Sequence, residues 1–175
     1  MSSGTATSSG RLAQAFLGEI ENEAKVTRSV LERVPADKFD YKPHEKSMTF
    51  GRLASHIAEM WGWTEATCKQ DVLDFATMEY TPYDPKTTDD LLAFFDQHIA
   101  KAKAVLAETS DETLMTDWTM RNGDQVYFTM PKVAVMRTFV LNHIIHHRGQ
   151  LSVYLRLNDI PVPSIYGPSA DEGKM

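Results

Sequence analysis

The sequence predicts an all-α protein, a four-helix bundle with a small β-hairpin before the last helix, and three observations lead to this prediction. Four long segments repeat apolar residues at intervals of three and four, as the buried face of a helix does. Prolines and clusters of polar residues separate these segments. The dipeptide Asn122-Gly123 lies between two β-prone runs, which is the strongest short signal for a hairpin. We therefore expect the helices to form the core and the hairpin to pack on it.

The first two helices are bounded by recognisable start and stop residues. Helix one is expected from Arg11 to about Val34, because Pro35 follows and cannot continue a helix. Helix two is expected from about Phe50 to Gln70, with the hydroxyl of Ser47 or Thr49 accepting a hydrogen bond at its start.

A long loop separates helix two from helix three. Residues Asp71 to Pro85 contain two prolines, so we expect no helix there. This loop is too long for a tight turn and is expected to cross the length of the bundle, which would make helices two and three parallel. Helix three is expected to begin at Thr87 or Thr88 and to end near Ser110.

The hairpin and the last helix complete the domain. The hairpin is expected within Asp117–Thr129. Proline is tolerated in the first turn of a helix, so we predict that Pro131 opens helix four, which runs to about Leu157. The chain then divides into a disordered leader at residues 1–10, a bundle at residues 11–160 and an extended C-terminal tail at residues 161–175.

Composition limits the function classes. A chain of 175 residues with 42% hydrophobic residues can form one domain with a sizeable core. The net charge of −6 argues against a nucleic-acid partner. No apolar run approaches the roughly 20 residues that span a bilayer, and the first ten residues lack the pattern of a signal peptide. Because Cys68 is the single cysteine, no intrachain disulfide can form, and we expect a cytoplasmic protein without a membrane partner.

Three histidines occupy positions where hydrocarbon would be expected. His143 and His147 lie one turn apart on the inward stripe of helix four, so their Cβ atoms are about 5–6 Å apart and both imidazoles can reach one divalent metal ion. His56 follows the same inward spacing in helix two. The sequence therefore predicts a metal held by these three histidines.

Spacing alone leaves other interpretations open. A lone inward histidine is more often a satisfied core residue than a ligand, so a metal-free bundle with core histidines is the main alternative. His146 is a competing ligand, since it forms a His-x-x-His pair with His143. His98 lies near the inward stripe of helix three, although a surface role is preferred for it, and His44 is expected to be exposed in a loop.

The chemistry of three imidazoles favours catalysis. Neutral imidazole binds zinc, nickel, copper and iron(II), and three protein ligands leave at least one coordination position open. A water bound there becomes acidic near neutral pH, and a thiol is bound as the thiolate. Such a site would activate a low-molecular-weight thiol or a water for attack on a small electrophile.

Candidate catalytic residues lie near the histidines in sequence. Glu59 lies one turn beyond His56, so it is a candidate general base or a partner of that ligand, with an exposed helix residue as the alternative. Tyr154 is a candidate hydrogen-bond donor to substrate, with core packing as the alternative. Arg148 is a candidate for holding an anionic group, with a surface ion pair as the alternative. Gly149 costs about 1 kcal/mol inside a helix, so we expect another backbone or a ligand to approach it closely.

The sequence as a whole resembles the DinB/YfiT-like family of small four-helix metalloproteins. The motifs that carry the resemblance are Leu53-Ala54-Ser55-His56 in helix two, the run from Asn142 to Gln150 in helix four and the tail from Pro161 to Ser169. The resemblance implies an up-down-down-up bundle, a three-histidine site that holds nickel or zinc, and frequent homodimers. It also implies that His56, His143 and His147 are the ligands and that His146 is not.

The resemblance leaves several functions open. Similar proteins include thiol-dependent S-transferases, maleylpyruvate isomerases that use mycothiol, and proposed hydrolases. A metal-dependent S-transferase that uses a low-molecular-weight thiol is therefore the first interpretation, and a metal-dependent hydrolase is closely related to it. A non-catalytic metal- or ligand-binding stress protein, in which the histidines staple the core, is the alternative from a different class.

Overall fold

The computed structural model describes residues 10–173, so the predicted leader lies outside the described residues except for Gly10. Helix α1 spans Arg11–Leu31 and ends slightly earlier than predicted. Its first backbone N–H groups are capped by a distant side chain, because Arg11 and Leu12 donate to the carboxylate of Asp111 at 3.1 and 2.8 Å.

The second helix is interrupted, whereas the sequence predicted a continuous one. It consists of α2 at Phe50–Glu59, a single 3₁₀ turn at Met60–Gly62 and α3 at Trp63–Lys69. Thr49 caps α2, since its hydroxyl accepts a hydrogen bond from the N–H of Arg52 at 3.1 Å. The tighter 3₁₀ turn changes the direction in which side chains leave the helix, and periodicity does not reveal it.

The segment after α3 was predicted to be a loop, and this prediction is wrong for three residues. Val72–Asp74 form strand β1, which pairs in parallel with β2 at Asp117–Asn122. Strand β3 spans Gln125–Pro131 and pairs with β2 in antiparallel fashion, so the sheet order is β1-β2-β3. The predicted hairpin is confirmed, with Gly123 in its turn at φ 58°.

Helix α4 spans Thr88–Ala107, and a capping box of Thr87 and Asp90 fixes its start. The short helix α5 at Asp111–Met115 follows, which the sequence did not predict. At the start of α5, the N–H of Thr113 donates to the hydroxyl of Ser110. This capping residue and one helical turn are the only sequence signal for α5.

The fourth helix begins directly after Pro131 and runs to Leu157 in three parts. Helix α6 spans Lys132–Val135, a π-helical turn spans Met136–Leu141 and α7 spans Asn142–Leu157. A π turn adds residues to a helical turn and therefore shifts the phase of the side chains that follow it. That turn comes directly before the histidine run, so it sets the direction in which those side chains point.

The four-helix bundle is confirmed. Helices α1 and α2 each pack against both α4 and α7. The residues that fill the centre include Ile20, Phe50, Ile57, Trp61, Phe95, Val140 and Leu151. No helix within residues 10–173 combines the length and apolarity needed to cross a membrane.

The tail contains no helix or strand between residues 160 and 173, and it is tied to the bundle. Arg33 pairs with Glu172, and Arg156 pairs with Asp171 at 2.5 Å. The N–H of Val162 also donates to Asp171 at 2.8 Å. The predicted extended tail is therefore an ordered strap whose apolar residues pack on the core.

Candidate metal centre

Three histidines from two helices meet at one point in the structure. α2 provides His56, and α7 provides His143 and His147. One ligand atom from each of them lies within 4.8 Å of the others. The Nε2 atoms of His56 and His143 are 3.4 Å apart, and those of His143 and His147 are 2.8 Å apart. This is the group that the sequence predicted, and it forms because α2 packs directly on α7.

A hydrogen bond on the far side of the His147 ring determines which of its nitrogen atoms is free. Nδ1 of His147 lies 2.7 Å from Oε1 of Gln150, and an amide oxygen accepts hydrogen bonds only, so Nδ1 carries the proton. Nε2 of His147 therefore directs its lone pair at Nε2 of His143, which lies 2.8 Å away. That lone pair is available to a cation shared with His143 and His56.

The protonation state of the rings also suits a metal. Burial and, to a smaller extent, the neighbouring imidazoles together lower the pKa of His143 to about 4. Burial likewise lowers the pKa of His147. Neutral imidazole is the form that binds metal ions, so at neutral pH no proton has to leave these two ligands. The donor set fits zinc, nickel or another divalent ion that prefers nitrogen ligands.

Glu59 lies beside the centre but is already engaged. Its carboxylate accepts hydrogen bonds from Arg52 at 2.9 Å, from the hydroxyl of Tyr80 at 2.7 Å and from the N–H of Tyr83 at 2.6 Å. Nδ1 of His56 is 3.8 Å from Oε2 of Glu59, which is longer than a hydrogen bond.

These contacts decide what Glu59 can do. Burial by itself raises the pKa of Glu59, but the surrounding donors outweigh burial and lower the pKa to about 2. A carboxylate with so low a pKa is a weak proton acceptor, so the general-base role is disfavoured. The carboxylate instead fastens the loop that carries Tyr80 and Tyr83 to α2.

A pocket of about 590 Å³ opens onto two of the three histidines. Its lining includes His56, Glu59, Met60, Trp63, Phe75, Met78, Tyr80, Thr81, Pro82, Tyr83, Asp84, Phe94, His98 and His143. Most of this surface is apolar or aromatic, and its lining contains no lysine or arginine. The loop that follows β1 forms one wall, because the N–H of Phe75 donates to the carbonyl of Arg121 at 2.9 Å and continues the sheet.

Tyr154 lies outside this pocket. Its hydroxyl donates to the backbone carbonyl of Met48 at 3.2 Å, and its ring packs edge-to-face on Tyr41 and Phe50. The side chain is thus part of the core, which was the alternative to a substrate contact.

The predicted role of Arg148 in holding an anion is not supported, because its guanidinium is buried on the side that faces α1. Nη1 lies 2.7 Å from Oε2 of Glu23 and 3.0 Å from the hydroxyl of Thr27, and the ring of Tyr166 covers the group. The side chain is 1% exposed, so it forms neither a surface ion pair nor a wall of the pocket.

The expected close approach of another backbone to Gly149 is also wrong. A Cβ added at this residue would meet nothing within 4 Å, so no other part of residues 10–173 approaches it. His146 and His44 are both exposed, and neither belongs to the three-histidine group.

Cys68 is buried, and burial raises the pKa of its thiol, which agrees with a structural cysteine.

Two features of the site were not predicted. Gln150 was placed on the inward stripe but given no function, although an amide three residues after a histidine is a recognisable partner for its Nδ1. His98 was expected at the surface, yet it lines the pocket. The spacing near the inward stripe of helix three was the only available signal for it.

Comparison with known proteins identifies relatives over nearly the whole chain. A sequence profile of the DinB family matches residues 2–174. The uncharacterized protein YrdA of Bacillus subtilis (strain 168) is 27% identical over 161 residues, which cover 90% of this chain and 89% of YrdA. The uncharacterized protein YjoA of the same organism is 27% identical over 136 residues, which cover 75% of this chain and 80% of YjoA.

Two crystal structures share the fold. The DinB-like protein YjoA of Bacillus subtilis matches with a TM-score of 0.66 at 21% identity, covering 91% of this chain and 99% of the other. A DinB-like protein of Bacillus cereus matches with a TM-score of 0.68 at 22% identity, covering 87% of this chain and 97% of the other. The family match over residues 2–174 confirms the resemblance seen in the sequence, and this chain belongs to the DinB family.

Proposed function

We propose that this protein is a metal-dependent enzyme that joins a low-molecular-weight thiol, or water, to a small uncharged electrophile. The observation that carries the proposal is that two members of the three-histidine group, His56 and His143, line an apolar pocket. A structural metal site is normally closed by four protein ligands. Within residues 10–173 the group contains three, and His56 and His143 both face the pocket.

The three imidazoles would hold zinc or nickel through Nε2, with Gln150 keeping the ring of His147 in the required tautomer. When bound, such an ion lowers the pKa of a thiol or water at its open position, so that the nucleophile is available at neutral pH. The pocket walls are mostly apolar and aromatic, and such low-dielectric surroundings strengthen electrostatic interactions.

The pocket also favours one class of electrophile. Its aromatic wall includes the stacked pair Tyr83 and Phe94, whose ring centroids are 3.9 Å apart. The two carboxylates in the lining, Glu59 and Asp84, pair with Arg52 and Lys86, which lie outside the lining. The lining includes no lysine or arginine that could hold an anionic group, whereas its rings would hold a neutral aromatic or apolar electrophile.

The test begins with the metal. Metal content is measured on the purified protein, which is then stripped with chelator and reloaded with zinc or nickel. Transfer of a thiol is followed with 1-chloro-2,4-dinitrobenzene and a panel of small thiols, and hydrolysis is followed with p-nitrophenyl acetate. We expect turnover that requires the metal and is abolished in His143→Ala, while His44→Ala retains it.

Two other results would contradict the proposal. Equal turnover by the stripped and reloaded proteins would exclude a role for the metal in the reaction. Full metal occupancy without turnover in either assay would favour the non-catalytic alternative, in which the three histidines fasten α2 to α7.

A further inference from the structure

His98 is a polar group of the pocket that the metal site does not use. It lies on α4, which packs against α2, and it lines the same pocket as His56 and His143. It is not a member of the three-histidine group. An imidazole outside the metal site, in a mostly apolar pocket, is a candidate for proton transfer.

The tautomer of His98 is set by its own helix. Nδ1 lies 2.9 Å from the backbone carbonyl of Phe94, four residues earlier. A carbonyl only accepts hydrogen bonds, so Nδ1 carries the proton and Nε2 has the lone pair when the ring is neutral. Within residues 10–173, no side chain or backbone group hydrogen-bonds this Nε2. The free nitrogen is therefore available to a bound molecule.

The position of the ring is fixed on two sides. On one side it packs against Phe94 with a centroid distance of 4.2 Å, and Phe94 stacks on Tyr83. On the other side is Gly62, in the 3₁₀ turn between α2 and α3. A Cβ added at Gly62 would lie 3.1 Å from Cδ2 and 3.5 Å from Nε2 of His98. A glycine at this residue therefore leaves room for the edge of the ring that bears Nε2.

We propose that Nε2 of His98 is the proton-transfer group of the pocket, an inference that rests on the proposed function. Nε2 accepts the proton that the incoming thiol or water loses as it becomes the thiolate or hydroxide, and the sulfur or oxygen then forms its bond to the electrophile. The bond to the leaving group breaks with its electron pair going to that group. The imidazolium then gives the proton to the leaving group or, where that group is as weak a base as chloride, to water, which restores the neutral ring.

Other titratable groups of the pocket are less suited to this step. Glu59 is held by three donors, as described above. The hydroxyl of Tyr80 is committed to Glu59, and burial, together with that carboxylate, raises the pKa of Tyr80. The remaining titratable groups in the lining are the two metal-facing histidines, Tyr83 and Asp84.

The principal variant is His98→Ala, studied in the metal-loaded protein, with Gln97→Ala as the matched control on the exposed face of α4. We expect His98→Ala to keep its metal and to lose about 10²–10⁴-fold in kcat/KM. The limb of the pH profile that belongs to an imidazole should disappear. Added imidazole should restore part of the activity, which a purely structural loss would not allow.

A second variant changes the space around Nε2 without removing the ring. Gly62→Ala places a methyl group against the imidazole edge and should lower kcat while leaving the metal content unchanged. Gly18→Ala is the control, because a Cβ there meets nothing within 4 Å. Independently of activity, long-range ¹⁵N–¹H spectra of the metal-free protein should show His98 as the Nδ1–H tautomer.

The outcomes separate this inference from the proposed function. Absence of turnover in the loaded wild-type protein would overturn both. Turnover that His98→Ala leaves within twofold of wild type, or a neutral His98 in the Nε2–H tautomer, would overturn the inference about His98 alone.

Discussion

Nδ1 of His147 lies 2.7 Å from Oε1 of Gln150, less than one turn further along α7. This hydrogen bond keeps the proton on Nδ1 and leaves Nε2 free to face the imidazoles of His143 and His56. The candidate metal centre therefore depends on a residue beyond the three histidines, since Gln150 decides which nitrogen atom the ring of His147 presents.

Removal of any one of the three histidines should remove the metal. We expect His56→Ala, His143→Ala and His147→Ala each to purify with almost no bound zinc or nickel, because two imidazoles do not form a tight site. His146→Ala is the matched control, since this exposed histidine neighbours His147 without joining the group. Elemental analysis is the measurement, and full occupancy in His147→Ala would contradict the assignment.

Gln150→Leu should weaken metal binding without removing a ligand. The substitution deletes the acceptor for Nδ1 of His147, so we expect the Kd for zinc to rise about 10–100-fold, measured by competition with a chromogenic chelator. Ser152→Ala, on the same helix, should leave the Kd unchanged. An unchanged Kd in Gln150→Leu would show that the tautomer of His147 is fixed without this hydrogen bond.

The metal-free protein should lose stability in mild acid. An unfolded chain protonates its histidines near pH 6.5, whereas burial lowers the pKa of His143 in the folded protein to about 4. The unfolded state therefore binds more protons between these values, and the free energy of unfolding falls as the pH decreases through this range. We expect a loss of roughly 2–3 kcal/mol from this residue, measured by urea unfolding at several pH values.

His143→Gln has no imidazole at this position, so its stability should vary less over the same pH range. His44→Gln removes an exposed histidine and should keep the slope of the wild-type protein. Identical slopes for wild type and His143→Gln would contradict the effect.

Glu59→Gln should loosen the wall of the pocket. The neutral amide weakens the hydrogen bonds from Arg52, Tyr80 and Tyr83, so we expect a loss of about 1–3 kcal/mol in stability and faster proteolysis between residues 75 and 84. Glu79→Gln, an exposed change in the same loop, is the control. Unaltered proteolysis in Glu59→Gln would mean that other contacts hold this wall.

Arg148→Met should destabilise the fold and leave the metal in place. The change leaves Glu23 poorly solvated and without its cation, and breaking a buried pair costs about 3–5 kcal/mol. Arg137→Met breaks the more exposed pair with Glu19 and should cost about 0–1 kcal/mol. Denaturant unfolding of both variants gives the comparison, and equal losses would contradict the assignment of Arg148 to the interior.

The sequence predicted the three-histidine group more accurately than the residues around it. Spacing alone identifies His56, His143 and His147 as inward-facing residues, because a helix repeats its buried face every three to four residues. Arg148 and Gly149 were misinterpreted because spacing specifies a side of the helix only approximately. The neighbours on that side, Glu23 and Thr27 for Arg148 and open space for Gly149, come from elsewhere in the fold.

The sequence by itself determined the bundle, the hairpin at Asn122-Gly123 and the inward positions of the three histidines, since each follows from local periodicity or turn chemistry. The tertiary structure alone decided that β1 joins the sheet, that Glu59 fastens the loop over the pocket and that His98 faces the same pocket. These features depend on contacts between residues distant in the chain, and such contacts exist only after the helices have packed.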